Sequence, residues 1–196
     1  MTLGIALSCT ADLGTSPISS VPWVLSMFTP WSIGEITIVL NLLFIIAQTI
    51  LLRQIYWREL LGQLITLIAF GYCIDFSMSL LDWVAPDTLF WQWFDYILST
   101  IILALGVFLC IRAKIFVAAG EGIVLVISFI SKIRFSIIKN CFDCTLVAIS
   151  LAISFMHFGA MRGVGVGTIA AAILVGRWIQ LYSNRLHIFD KWSILE

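Results

Sequence analysis

The feature that most limits what this chain can fold into is the number and length of its apolar runs. A helix crosses the hydrocarbon core of a bilayer in about 20 apolar residues. Five runs of that order stand at 34–53, 59–82, 92–111, 137–157 and 164–182. A soluble domain usually carries about 25% charged and 45–50% apolar residues. Here the figures are 11% and 61% of 196 residues. That excess is too large for a core, so the solvent is lipid. A formal net charge of zero argues against nucleic acid as a partner.

Two further apolar stretches, 16–29 and 118–131, are too short or too broken to span comfortably. The first ten residues, "MTLGIALSCT", read as the last turns of another spanning helix whose beginning is missing. No basic region precedes a small-residue cleavage site, so no cleavable signal peptide is visible.

Lys and Arg in short loops tend to stay cytoplasmic. The loop "DWVAPDTLFWQWFD" (82–95) has three acids and no Lys or Arg. With that loop outside, nine basic residues fall inside: Arg53, Arg58, Arg112, Lys114, Lys132, Arg134, Lys139, Arg185 and Lys191. Arg162 alone stays outside, and Arg177 snorkels at an inner end. The scheme requires 118–131 to enter and leave on the cytoplasmic side. The pattern therefore predicts a re-entrant or half-depth segment there. Trp31, Trp83, Trp91 and Trp93 then lie near the outer interface, and Tyr56, Trp57, Trp178 and Tyr182 near the inner one.

An offset of 102 residues lays 3–26 over 105–128 with six identities: Leu3/Leu105, Gly4/Gly106, Leu7/Leu109, Ala11/Ala113, Val24/Val126 and Ser26/Ser128. The same offset sets Asn41 over Asp143, and an offset of 105 sets "QLITLIAFG" (63–71) over "TIAAAILVG" (168–176). Each half then holds a spanning helix, a short broken segment and two more spans. Three spans is an odd number, so the second half enters from the opposite side. The charges agree: Asp12 and Glu35 flank the first short segment, whereas Lys114, Lys132, Arg134 and Lys139 flank the second. Paired short, Gly/Pro-interrupted segments in inverted halves are the sequence pointer to a transport site. Non-helical backbone at depth is tolerated where protein or water covers it. Gly14, Pro17 and Pro22 interrupt one segment; Gly120 and Gly122 interrupt the other. Each short helix would aim free N–H groups and a positive dipole end at the interior.

The stretches "ADLGTSPISSVPWVLS" (11–26), "FGYCIDF" (70–76), "AAGEGIV" (118–124), "FDCTLV" (142–147) and "GVGVGTIAAAILVG" (163–176) resemble the bacterial YczE/YyaS/YitT-type membrane proteins. The resemblance covers nearly the whole chain and is most specific in the first and the GEG blocks. It implies a small integral inner-membrane protein, mostly of unknown function and in some relatives labelled transporter-like. Two features depart from that pattern. The first helix is mostly missing, and Gly165 and Val166 stand where some relatives carry an Arg-Glu pair.

Ionisable groups inside spans are costly and point to function. Glu121, Asp143, Asp75 and Asn41 stand out, together with the hydroxyls Thr15, Ser16, Ser19 and Ser20. Each has a bland reading beside the functional one. Asp75 would face headgroup water. Asp143 would pair with Lys139 one turn back. Glu121 would be clasped by Arg112 or Lys114. Asn41 would join helices through one hydrogen bond, and the hydroxyls would cap a helix. Gly163, Gly165 and Gly167 read as close helix packing rather than phosphate binding, since no P-loop Lys follows.

Cys9, Cys73, Cys110, Cys141 and Cys144 are odd in number and lie in or beside apolar runs, so they read as small hydrophobes. The Cys141/Cys144 pair lacks the second Cys/His pair that zinc would need; His157 and His187 are far apart in sequence. No Ser-His-Asp pattern is visible, which argues against an enzyme. No cofactor or metal is implied.

The expected fold is an all-α, polytopic transmembrane bundle with an inverted internal repeat, each half carrying one short broken or re-entrant helix. Its parts are a first repeat at 1–83, an outer loop at 84–91, a second repeat at 92–183 and a cytoplasmic tail at 184–196. The expected function is a small-solute transporter of the bacterial inner membrane, whose site is lined by Thr15, Ser16, Ser19, Ser20, Asn41, Asp75, Glu121 and Asp143. A buried Glu or Asp there would carry a coupling proton if desolvation raised its pKa. The competing expectation is a non-transporting membrane protein that assembles with a second copy or a membrane partner, or regulates that partner. In both, the bilayer is the first partner, and an unknown small solute or ion the second only for a transporter.

Overall fold

The computed structural model describes residues 1–11, 13–53, 57–83, 86, 88–113 and 118–185, without the side chains of 58, 59, 111–113, 136, 172, 173, 180 and 183–185. Among the described residues, helix is the only regular structure. In chain order the helices are α1 (Thr2–Thr10), α2 (Pro17–Ser26), α3 (Ile33–Leu52), α4 (Trp57–Leu81), α5 (Leu89–Ala113), α6 (Ala119–Ser131), α7 (Phe135–Phe158) and α8 (Val166–Arg185).

Local sequence accounts for many of the boundaries. Ser32 opens α3 with a capping box: the Glu35 N–H donates to Ser32 Oγ at 3.0 Å, and the Ser32 N–H donates to Glu35 Oε2 at 2.9 Å. The pair satisfies two N–H groups that a helix start leaves unpaired. Helix α7 stops at Gly159, whose left-handed φ of 64° costs a residue without Cβ little. Pro17 sits in the first turn of α2, where its missing N–H is no loss. Pro22 then removes one donor inside the helix.

Four stretches are long and apolar enough to cross a membrane: Ile33–Leu52, Leu60–Leu81, Leu89–Cys110 and Ile137–Phe158. They match four of the five expected runs. The fifth, 164–182, falls in the 20-residue α8, whose apolar part is described over Val166–Ile179. Helices α2 and α6 have 10 and 13 residues. At 1.5 Å per residue they reach about 15 and 20 Å, less than the roughly 30 Å hydrocarbon core.

Burial is reversed relative to a soluble domain. Ile65, Phe76 and Met156 are 70%, 69% and 88% exposed, while Thr15, Ser20, Ser150 and Ser154 are fully buried. Apolar side chains outward and hydroxyls inward, on four helices of spanning length, are the pattern of a membrane protein.

Helix α1 is the inner element, packed between α4 and α5. A Cβ on Gly4 would sit 2.7 Å from the Leu103 nitrogen, and one on Gly106 would sit 2.5 Å from the Met1 nitrogen. Advancing along α1 therefore means retreating along α5: the two run antiparallel. The remaining principal pairs are α3 with α4 and α6, α5 with α8, and α2 with α3 and α7, while α6 also packs on α7.

Candidate functional site

The short helices start against each other. A Cβ on Gly120, in the first turn of α6, would overlap Ile18 Cδ1, in the first turn of α2. Helices α3 and α7 frame this meeting point, since each packs on both α2 and α6. The polar side chains of all four elements near these starts define the candidate site.

On the α2 side, Ser16 holds the N-cap position, but its hydroxyl caps no backbone N–H. It donates instead to Ser19 Oγ at 3.1 Å. Ser20 Oγ donates to the Pro17 carbonyl at 2.7 Å, and Thr15 Oγ1 to the Ser16 carbonyl at 3.3 Å. The expectation that these hydroxyls cap the helix is thus corrected. Pro17 removes one N–H and the Ser16 carbonyl takes the Ser19 N–H, so the side chains turn to each other.

On α3, Asn41 Nδ2 donates to the Thr37 carbonyl at 2.9 Å, within its own helix. It does not join two helices, as expected of it. The residue that does so is Gln48, which the sequence reading missed. Gln48 is buried, and its Nε2 donates to the Ala119 carbonyl at 3.0 Å. A Cβ on Gly122 would lie 2.6 Å from Gln48 Oε1, so glycine there makes room for the amide. The signal was available: Gln48 lies seven residues after Asn41, two helical turns along the same face.

On the α6 and α7 side, Lys139 Nζ donates to Asp143 Oδ1 at 2.8 Å, both about a quarter exposed. The local pair expected of Asp143 is present. Glu121, half-buried in the first turn of α6, is within electrostatic reach of both groups. Its expected clasp by Arg112 or Lys114 lies outside the described residues. The rings of Phe44 on α3 and Phe142 on α7 meet edge to face at 5.3 Å.

Asp75 is elsewhere. Its carboxylate accepts from Ser32 Oγ at 2.7 Å and from the Gly34 N–H at 2.8 Å, at the start of α3. Gln48 is about 21 Å further along that helix. Asp75 is therefore an interhelical cap for α3, not a group facing open water, and it is not brought to the site.

The late glycines also differ from expectation. Gly163 lies against Trp23 and Val24 of α2, as expected, but Gly165 and Gly167 admit a linker rather than a helix. The Gly167 N–H donates to the Leu13 carbonyl at 2.8 Å, and a Cβ on Gly165 or Gly167 would lie 2.7 or 2.5 Å from that oxygen. Tyr96, fully buried on α5, donates its hydroxyl to the Gly167 carbonyl. The α1–α2 linker is thereby docked on the start of α8. Cys141 and Cys144 are both exposed on α7.

Residues 1–184 match the profile of a family of unknown function, DUF6198. The chain belongs to that family. The DUF6198 match spans every candidate residue from Thr15 to Asp143. The curated proteins and the solved structures yielded no match.

Proposed function

We propose that the chain is a small-solute transporter of the bacterial inner membrane, with a cytoplasmic C-terminus and a mid-depth site between two inverted halves. The observation that carries the reading is the meeting of two sub-spanning helices at their N-terminal ends, Ile18 against Gly120. Helix starts offer free N–H groups and positive dipole ends, and such paired half-helices mark the site in inverted-repeat transporters.

The packing supports a two-fold relation between the halves. Exchanging each helix for the one four places along turns α1/α4 into α5/α8, α2/α3 into α6/α7, and α2/α7 into α3/α6, all of them packed pairs. The offset of 102 turns the Gly4–Leu103 approach into the Gly106–Met1 approach and returns Ile18–Gly120 to itself. Corresponding helices α1 and α5 run antiparallel, as inversion requires. The α3/α4 pair has no equally prominent α7/α8 counterpart. Some of the YczE/YyaS/YitT-type proteins that the chain resembles are labelled transporter-like.

Proteoliposomes on a solid-supported membrane, challenged in turn with amino acids, sugars, carboxylates and amines, test the reading. A solute-driven current or tracer uptake that Glu121→Gln abolishes or strips of its pH dependence is expected. Uptake unchanged in that variant counts against the site. No flux for any class, together with a stoichiometric co-purifying membrane partner, favours the non-transporting reading.

A further inference from the structure

The principal helix pairs sort into two groups of four. In one, α1 packs on α4 and α5, and α5 on α8. In the other, α2 and α6 each pack on both α3 and α7. A single principal pair, α3 with α4, joins the groups. Its counterpart in the second half is α7 with α8, and that pair is not among the principal ones. The groups are therefore fastened along one edge and apart along the other.

Single residues repeat the difference. On the fastened edge, a Cβ on Gly71 would overlap Ile38 and lie 2.9 Å from the Gly34 carbonyl. The offset of 105 sets Gly71 over Gly176. Gly176 is exposed, and a Cβ on it meets nothing within 4 Å among the described residues. The offset of 102 sets Ile38 over Asn140. Ile38 is half-buried, whereas Asn140 is exposed although it lies inside the span Ile137–Phe158. The start of α3 is capped by Ser32 and by Asp75 of α4. The start of α7, at Arg134, has no side-chain cap, and Gln180 stands where Asp75 stands in the first half.

Lipid is a poor neighbour for such a face. Polar residues inside a span are costly unless something pairs them. A glycine lets another backbone come close, and an amide hydrogen-bonds across to a neighbouring helix. The first half shows what fits a face of this kind: the other helix of its own pair.

We propose that the two groups close about the α3/α4 contact as a hinge and seat α8 on α7, with Gly176 at Asn140 as Gly71 sits at Ile38. The closed form is the two-fold-symmetric one, and the cleft between α7 and α8 is its open form. Hinge closure of this kind leaves each group intact and changes only what lies between them. The proposal rests on the inverted halves of the transport reading and adds a closing step to it.

The test is disulfide trapping of the full chain in proteoliposomes, with the five native cysteines replaced. The pair Asn140→Cys with Gly176→Cys reads the closed form. Neither position is buried. In the open form a Cβ at 176 has no neighbour within 4 Å, beyond the roughly 3.8 Å between the Cβ atoms of a disulfide. A second pair, Ser136→Cys with Gln180→Cys, stands in for the Gly34–Asp75 contact and decides should the first not fold. Thr2→Cys with Ser77→Cys is the positive control, since those hydroxyls already lie 3.2 Å apart. Asn140→Cys with Ile169→Cys is the register control. Ile169 is 69% exposed but about 10 Å back along α8 from Gly176, too far for a disulfide in the proposed register.

Copper phenanthroline should remove both thiols of the first two pairs from reaction with a polyethylene-glycol maleimide, within one chain, and reduction should restore them. The register control should keep both thiols. No bridging in either closing pair while the positive control bridges overturns the proposal. So does equal bridging of the register control. A disulfide that joins two copies overturns it too, and makes the cleft a seat for a second copy. Closure without a current for any solute class defeats the transport reading alone. Solute-driven currents without closure defeat this inference alone.

Discussion

Replacing Asp75 by Asn changes two interactions at once, because one carboxylate serves both Ser32 Oγ and the Gly34 N–H. Hydrogen bonds to a charged group contribute about 1.5–3 kcal/mol. The approach is tight: a Cβ on Gly34 would overlap the Gly71 carbonyl and lie within reach of Asp75. The amide can still accept one of the two bonds. Asp75→Asn should therefore destabilise the protein by about 1–2 kcal/mol, read as a lower midpoint of thermal unfolding in detergent. Because Asp75 lies far along α3 from Gln48, solute binding should be unchanged at temperatures where the variant is folded. A loss of binding with unchanged stability would return Asp75 to the site. A lone acid near a helix end does not reveal this role in sequence. Its partners are 43 and 41 residues away, and only the close packing of α3 on α4 brings them together.

At the scale of elements, run length was the informative signal. Four spans and two sub-spanning helices were legible because hydropathy and Gly/Pro interruption act locally. The docking of the α1–α2 linker on α8 was illegible, because small-residue spacing reads the same whether a helix or a bare backbone approaches. That docking makes a sharp prediction. Gly14 adopts a φ of 106°, and the Leu13 carbonyl it follows is held by the Gly167 N–H. Gly167→Ala puts a methyl 2.5 Å from that oxygen and 2.9 Å from the Tyr96 ring. Overpacking of this kind costs about 1–3 kcal/mol. Gly176→Ala, where a Cβ meets nothing within 4 Å, should be neutral or slightly stabilising through helix propensity. Equal melting temperatures for the two variants would mean the linker is not held on α8.

For the whole molecule, orientation and inversion depend on one question: whether α6 returns to the side it came from. Its 13 residues reach about 20 Å, too little to cross the core alone, and basic residues stand on both flanks, Lys114 before it and Lys132 after it. A full crossing would put one of them outside, against the bias of short loops. Single cysteines at 114 and 132 in intact cells, labelled with a membrane-impermeant maleimide, read this directly. The background needs Cys73, Cys110, Cys141 and Cys144, all exposed, changed to Ser, and Cys9, which is 2% exposed, changed to Ala so that no hydroxyl is buried in its place. Both positions should label only after the inner face is opened. Helix α7 then leaves from the cytoplasmic side, the second half has the opposite sense to the first, and the two short helices approach each other from opposite faces. Labelling from opposite sides would make α6 a crossing segment. Helix α7 would then start from the same side as α3 although α1 and α5 run antiparallel, the inversion would fail for the second half, and a protein that assembles with a membrane partner would be the better account.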